Sequence, residues 1–253
     1  MLQIPVYGVP YERQMFIADR GAVVHGLLKL VLEQHSWILD LKNPFMVEAE
    51  LDTVLQQMPR RHLALLERYP AVYHWTLQAV RELVMWAAAR LPQNMQAEPL
   101  LPKIPLPDGK FITAKSPDMQ FVMGGDGQHM LCEVKNGKAS HYVMEQKLIK
   151  YGVAFLLDQH RRGNPLESVQ LRWLGVRFPG EMGVPIDCQQ ILRVRSRKLR
   201  LEGADRWLRR QYDRGFDEIL PDIMPVDRKV VVDPAAWWPD YKAQHPEDYP
   251  ASV

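Results

Sequence analysis

Apolar residues in the first ninety positions recur at helical steps. From Arg20 to about Asp40, Val24, Leu27, Leu28, Val31 and Leu32 follow at three- and four-residue intervals, which predicts a helix with one buried stripe. Asn43-Pro44 interrupts it. A second helix is expected from Val47 to Met58, stopped by Pro59, and two more over 61–69 and 71–91, divided at Tyr69-Pro70 and ended at Leu91-Pro92. Residues 1–19 form an arm with no clear period. Pro92, Pro99, Pro102, Pro105 and Pro107 make the next stretch an extended linker or edge segment. Beyond it the period falls to two. Pro107-Asp108-Gly109 signals a turn, and Lys110–Lys115 reads as a strand. Two alternating runs then flank Gly124-Gly125-Asp126-Gly127 and predict a β-hairpin, and Val169, Leu171 and Trp173 alternate with Gln170 and Arg172 as a further strand. Between these, Met144, Leu148, Tyr151 and Phe155 mark a helix from about Ser140 to His160, closed by Arg162-Gly163-Asn164-Pro165. Strand, hairpin, helix and strand in that order predict an α/β core behind a helical N-terminal region.

The hairpin carries the candidate chemistry. Met119, Phe121 and Met123 share a face with Met130, Cys132 and Val134, which is apolar enough to be core. The other face holds Asp118, Gln120, Glu133 and Lys135. With Gly125-Asp126 as the turn, Asp118 lies opposite Glu133; with Asp126-Gly127 it faces Lys135. Either register puts the three charged groups on one face, because positions 133 and 135 share it. Cross-strand neighbours stand roughly 4.5–5.5 Å apart at Cβ, so two ionised carboxylates there repel unless one takes a proton or a cation intervenes. Hard oxygen donors at this spacing suit Mg²⁺ or Mn²⁺, and the ammonium of Lys135 can orient an attacking water. A phosphodiester-hydrolysis site has that composition. The bland alternative is an exposed polar hairpin with a surface ion pair.

Pro117-Asp118, fourteen residues, then Glu133-Val134-Lys135 resembles the motif of the PD-(D/E)XK nuclease superfamily. The resemblance implies a restriction-endonuclease-like mixed β-sheet flanked by helices. It implies a metal-dependent nuclease acting on DNA, with Asp118 and Glu133 as metal ligands, the Val134 carbonyl completing the shell, and Lys135 as the catalytic lysine. Gly21-Ala22-Val23-Val24-His25 is similar to the G-x-x-x-H motif of a RecB-like branch, which makes His25 a further metal ligand. The alternatives are a helix histidine satisfied by its neighbours, or Glu48, Glu50 or Glu82 in the upstream role. The Q-x-x-x-Y motif of that branch is imperfect here. Gln146 and Tyr151 are one residue too far apart, and keeping Tyr151 puts Lys147 where glutamine belongs. Tyr151 also lies on the apolar stripe, where packing explains it equally well.

Composition adds limits. The chain has 253 residues and a net charge of +2, so nucleic-acid affinity must come from local basic patches. Gln146 and Lys150 share a helix face that can meet a strand of DNA. Residues 193–214 hold Arg193, Arg195, Arg197, Lys198, Arg200, Arg206, Arg209, Arg210 and Arg214 against Glu202, Asp205 and Asp213, with Trp207 and Tyr212 as base-stacking candidates. The alternative is a solvated basic face. Cys132 and Cys188 make neither a disulfide framework nor an iron–sulfur site. The first residues lack a basic region and an apolar core, and no run approaches the ~18 apolar residues of a membrane span. A cytoplasmic protein with no membrane partner is expected. Three regions are expected: a helical part over 1–92, the nuclease-like core over 93–180, and a basic extension over 181–253. Beside a DNA nuclease stand two other readings, a non-catalytic nucleic-acid-binding or assembly subunit on the same fold, and the cleavage subunit of a mobile-element or defence complex. Protein partners and a homodimer are compatible with each.

Overall fold

The computed structural model of the chain describes residues 11–105, 111–113, 116–136, 141–179 and 190–223. The expected Pro107-Asp108-Gly109 turn, Cys188, the first ten residues and the chain after 223 lie outside them.

Four helices come first: α1 (Tyr11–Gln34), α2 (Pro44–Leu55), α3 (Arg60–Arg68) and α4 (Pro70–Ala88). Asn43 starts α2 by accepting from the Phe45 N–H at 2.9 Å with Pro44 at the first helical position, the chemistry the Asn-Pro pair favours. Helix α1 begins nine residues earlier than the apolar period indicates and stops at Gln34, with a separate 3₁₀ turn over Ser36–Asp40. So part of the stretch read as an arm is helical.

The strands form a five-stranded mixed sheet in the order β1-β4-β5-β6-β7. They are β1 (Pro92–Ala97), β4 (Met119–Met123), β5 (His129–Asn136), β6 (Ser168–Val176) and β7 (Leu192–Arg200). Only β5 and β6 run parallel; the other neighbours are antiparallel. A parallel pair needs a long crossover, and α5 (His141–Arg161) supplies it. The proline-rich stretch gives the sheet its edge strand β1, with an irregular register between Gln93 and Gln96, as prolines allow at an edge. The strand expected over Lys110–Lys115 is not its neighbour. Its described part, β3 (Phe111–Thr113), pairs with β2 (Lys103–Pro105) in a separate two-stranded sheet. The basic stretch contributes β7 and α6 (Leu201–Tyr212), so it is integral to the sheet rather than appended to it.

The two faces are buried by different layers. Met119, Phe121, Cys132, Val134, Leu174 and Val176 pack against α1, α2 and α4, with Val24, Leu27, Leu51, Val80 and Leu83 among the buried partners. Leu131, Val169, Leu171 and Leu199 pack against Leu148, Phe155 and Leu156 of α5 and Trp207 and Leu208 of α6. The central strands β5 and β6 therefore bury residues on both layers, while β1 has no fully buried residue and β7 is largely exposed. Trp207 is 4% exposed and packs edge-on to Tyr212. It belongs to the core and is not available to stack on a base.

Candidate functional site

Strand pairing sets the frame. Met119 opposes Cys132, Gln120 opposes Leu131 and Phe121 opposes Met130. The next position along this register puts Asp118 opposite Glu133. The connection is a four-residue loop, Gly124–Gly127: Met123 N–H donates to the Gln128 carbonyl at 2.9 Å and Gly127 N–H to the Met123 carbonyl at 2.9 Å. Gly127 adopts φ of +68°, which an L side chain resists.

The two carboxylates are held from opposite layers. Asp118 accepts the Val134 backbone N–H at Oδ2, 2.6 Å away, and its Oδ1 lies 2.8 Å from Nδ1 of His25 on α1. Helix α1 can approach because Gly21 lies against Asn136 at the end of β5. A Cβ there would meet the Asn136 amide nitrogen at 3.3 Å. The glycine marks where the helix meets the strand, and the imidazole one turn later reaches the aspartate. Just before it, Arg20 is buried against the rings of Trp75 and Phe178, its guanidinium 5.0 and 4.1 Å from their centroids, and anchors the middle of α1.

Glu133 is 4% exposed and turns toward α5. Its Oε1 accepts from the Lys147 ammonium, and its Oε2 lies 3.1 Å from the Tyr151 hydroxyl, which is also 3.1 Å from the Ser116 carbonyl. Burial raises the Glu133 pKa, the charge of Asp118 raises it further, and the bonds from Lys147 and Tyr151 only partly offset this. A phenol has one proton. Tyr151 shares that one proton between the Ser116 carbonyl and the Glu133 carboxylate. Burial, followed by the neighbouring Glu133, pushes Tyr151 itself upward. Burial opposes the charged form of His25 most strongly, yet the hydrogen bond and charge of Asp118, with help from Glu133, outweigh it and hold the imidazole above its ordinary value. Lys135 is exposed, close enough to His25 to act against that rise, and has no carboxylate partner among the described residues.

Of the four upstream candidates, His25 is the one in contact with Asp118. Glu48 and Glu82 are both bound to Arg81, at 2.5 and 3.1 Å. As they stand, no three His, Cys, Asp or Glu side chains among the described residues are arranged to hold a metal ion. His25 is engaged by Asp118, and Glu133 by Lys147 and Tyr151. Two carboxylates and an imidazole are donor types that suit a hard divalent cation, with Asp118 drawn toward α1 and Glu133 toward α5 as the structure stands.

Among the nucleic-acid candidates, Gln146 accepts from the Trp207 indole N–H at 3.3 Å, so its carbonyl serves the α5–α6 contact. Lys150, Arg206 and Arg210 are exposed. Arg209 is also exposed and is bound to Asp205 and Glu218 at 3.1 Å each. Arg197 is paired with Glu145. Cross-strand partners put Arg193, Arg195 and Arg197 opposite Gly175, Trp173 and Leu171, and Trp173 and Gly175 opposite Glu133 and Lys135. The alternating arginines therefore share the sheet face of Glu133 and Lys135. Lys147 was visible in the sequence only as a break in the Q-x-x-x-Y pattern. The signal for its contact with Glu133 was its spacing of four from Tyr151, which places both on one helix face.

A pH prediction follows from Glu133 and His25. Both bind a proton more tightly folded than unfolded. The stabilisation from the His25–Asp118 pair is complete below the unfolded value of about 6.5 and is lost as pH rises through the raised folded value. Glu133 adds a penalty that grows as pH rises above about 4.3 through its own raised value. The metal-free protein is expected to melt at lower temperature at pH 8 than at pH 6. A divalent cation needs both groups deprotonated, so the stabilisation by saturating Mn²⁺ should grow over the same interval. Melting curves at the two pH values, with and without Mn²⁺, check both signs.

No protein-family model matches this chain, and comparisons with curated proteins and with solved structures find no match either. No described helix is long and apolar enough to cross a membrane.

Proposed function

We propose that the chain is a metal-dependent nuclease that hydrolyses phosphodiester bonds, in DNA in the first instance, on a restriction-endonuclease-like sheet. One observation carries the reading: the hairpin register sets Asp118 opposite Glu133, with Lys135 two residues on along the same face. Asp118, Glu133 and the Val134 carbonyl, with His25, are the groups that would hold Mg²⁺ or Mn²⁺. Such an ion lowers the pKa of a bound water and neutralises charge on the phosphate. The protein's own part is positioning. Val134 N–H and His25 fix the Asp118 carboxylate, Lys147 and Tyr151 fix Glu133, and Lys135, which has no carboxylate partner among the described residues, would hold the attacking water in line or meet developing charge.

The test is incubation of linear, circular and single-stranded DNA with Mg²⁺ or Mn²⁺, comparing the wild-type protein with Glu133→Ala. Cleavage by the wild type and none by the variant is expected; equal cleavage by both, or none by either, opposes the reading. The second reading, a non-catalytic nucleic-acid-binding subunit, is favoured by the engagement of both carboxylates with protein partners. Calorimetric titration separates the two. Mn²⁺ binding that depends on Asp118 supports the enzyme, and its absence supports the binder.

A further inference from the structure

A recess of about 300 Å³ opens beside the carboxylate row, lined by His141, Glu145 and Leu148 of α5, Trp173 of β6, and Arg195 and Arg197 of β7. Trp173 is the in-register neighbour of Glu133 on one side and of Arg195 on the other. The recess is therefore one strand spacing, about 5 Å, from the glutamate. The Arg195 guanidinium lies 5.4 Å from the centroid of the Trp173 ring, and His141 borders the same indole, with ring centroids 6.3 Å apart. Among the described residues Glu145 is the one carboxylate lining the recess, and it is paired with Arg197 and lies 3.9 Å from His141. Arg195 has no carboxylate partner among the described residues.

One row further along the sheet, Lys135, Gly175 and Arg193 stand side by side. Gly175 leaves a notch between two cationic side chains whose strands are about 9–10 Å apart. The buried indole N–H of Trp173 has no hydrogen-bond partner among the described residues, and its nitrogen is 3.9 Å from where a Cβ on Gly175 would sit. An orphaned donor of this kind costs free energy unless a ligand oxygen meets it. The elements in hand are thus an aromatic face, a guanidinium beside it, an unmatched donor, and two cations around a gap.

We propose that this recess binds one unstacked base of a single-stranded nucleic acid, with the adjoining phosphate over the Gly175 notch between Lys135 and Arg193. The assignment rests on the hydrolytic reading of the neighbouring carboxylates and narrows its substrate to single strands or frayed ends. A base within a duplex has both faces stacked and cannot enter. An unpaired base can, and stacking on an aromatic ring tolerates any of the four. The recess is at the small end of ligand pockets, which suits one heterocycle.

The experiment measures binding of a fluorescent eight-nucleotide oligothymidylate, and of a duplex of equal length, to the full chain in EDTA, where cleavage does not occur. Wild type is expected to prefer the single strand. Trp173→Ala should weaken its binding by about tenfold, within the range of one lost base stack, and Trp173→Phe should retain most of it. Arg193→Gln should lower the slope of log affinity against log salt by about one, a change that a purely structural role would not produce. If Trp173→Ala fails to fold, Arg193→Gln, whose side chain is exposed, carries the test. Single-strand affinity and salt slope unchanged in the variants, or equal affinity for duplex in the wild type, overturns the assignment. Absence of Mn²⁺-dependent cleavage by a wild-type protein that shows all these binding effects would remove the hydrolytic reading instead, so the two failures are distinguishable.

Discussion

Asparagine in place of Asp118 is expected to slow Mn²⁺-dependent cleavage by on the order of 10²–10³-fold or more while leaving the fold intact. The substitution is chosen because the aspartate has two separable duties. Its Oδ2 caps the Val134 N–H at 2.6 Å, and an amide oxygen can accept the same bond. What asparagine removes is the charge, and with it the partner of His25 and a metal-ligand carboxylate. Alanine would be a poorer test, since it also strands the Val134 N–H at a cost of about 1–3 kcal/mol. The charge has a second readout. Asp118 helps to raise both His25 and Glu133, so Asp118→Asn should flatten the dependence of melting temperature on pH between 6 and 8. Single-turnover rates and melting curves on one preparation check both, and an unchanged cleavage rate would count decisively against hydrolysis at this site.

Loss of Lys147 is expected to have the largest effect on stability within the site. Its ammonium is the charged partner of Glu133, which is almost wholly buried. Breaking a fully buried pair costs about 3–5 kcal/mol. The Lys147 side chain is 35% exposed, so solvent screens the pair and about 1–2 kcal/mol is expected for Lys147→Ala. That corresponds to roughly 2–8 °C in melting temperature for a chain of this size. Lys147→Gln should recover most of the loss, because a glutamine amide still donates to Glu133. Saturating Mn²⁺ should narrow the gap between Lys147→Ala and wild type, since a bound cation replaces the ammonium as the counter-charge. Equal melting temperatures for Lys147→Ala and wild type without metal would mean that the contact contributes nothing. The contrast with Lys135 is useful. Lys135 is exposed and has no carboxylate partner among the described residues, so Lys135→Ala should lose cleavage with little change in stability, while nucleic-acid binding is weakened only by the loss of one phosphate contact.

Much of this arrangement is written in short-range pattern. The alternation of Met119, Phe121 and Met123 with polar neighbours, and the glycine-rich turn, suffice to place Asp118, Glu133 and Lys135 on one face, while the strand pairing selects the register that sets Asp118 opposite Glu133. The α5 stripe and the β6 alternation are equally plain. Other features were not legible. The strand next to the hairpin comes from the proline-rich stretch and not from residues 110–115, because both segments have strand character and only the packed sheet selects between them. Trp207 resembles an exposed stacking residue when read among arginines, yet α6 turns it into the core beneath α5. The helix before Arg20 carries too weak an apolar period to be seen.

What the sequence determined by itself is therefore the local geometry: a hairpin with two carboxylates and a lysine on one face, and helices before and after it. Alternation and turn chemistry act over a few residues and need no partner. Only the tertiary structure decided that His25, ninety-three positions upstream, meets Asp118, that Lys147 and Tyr151 hold Glu133, and that Trp173 and Arg195 continue its row across the sheet. Those contacts depend on which apolar face covers which side of the sheet, a choice made by the burial of whole elements against one another.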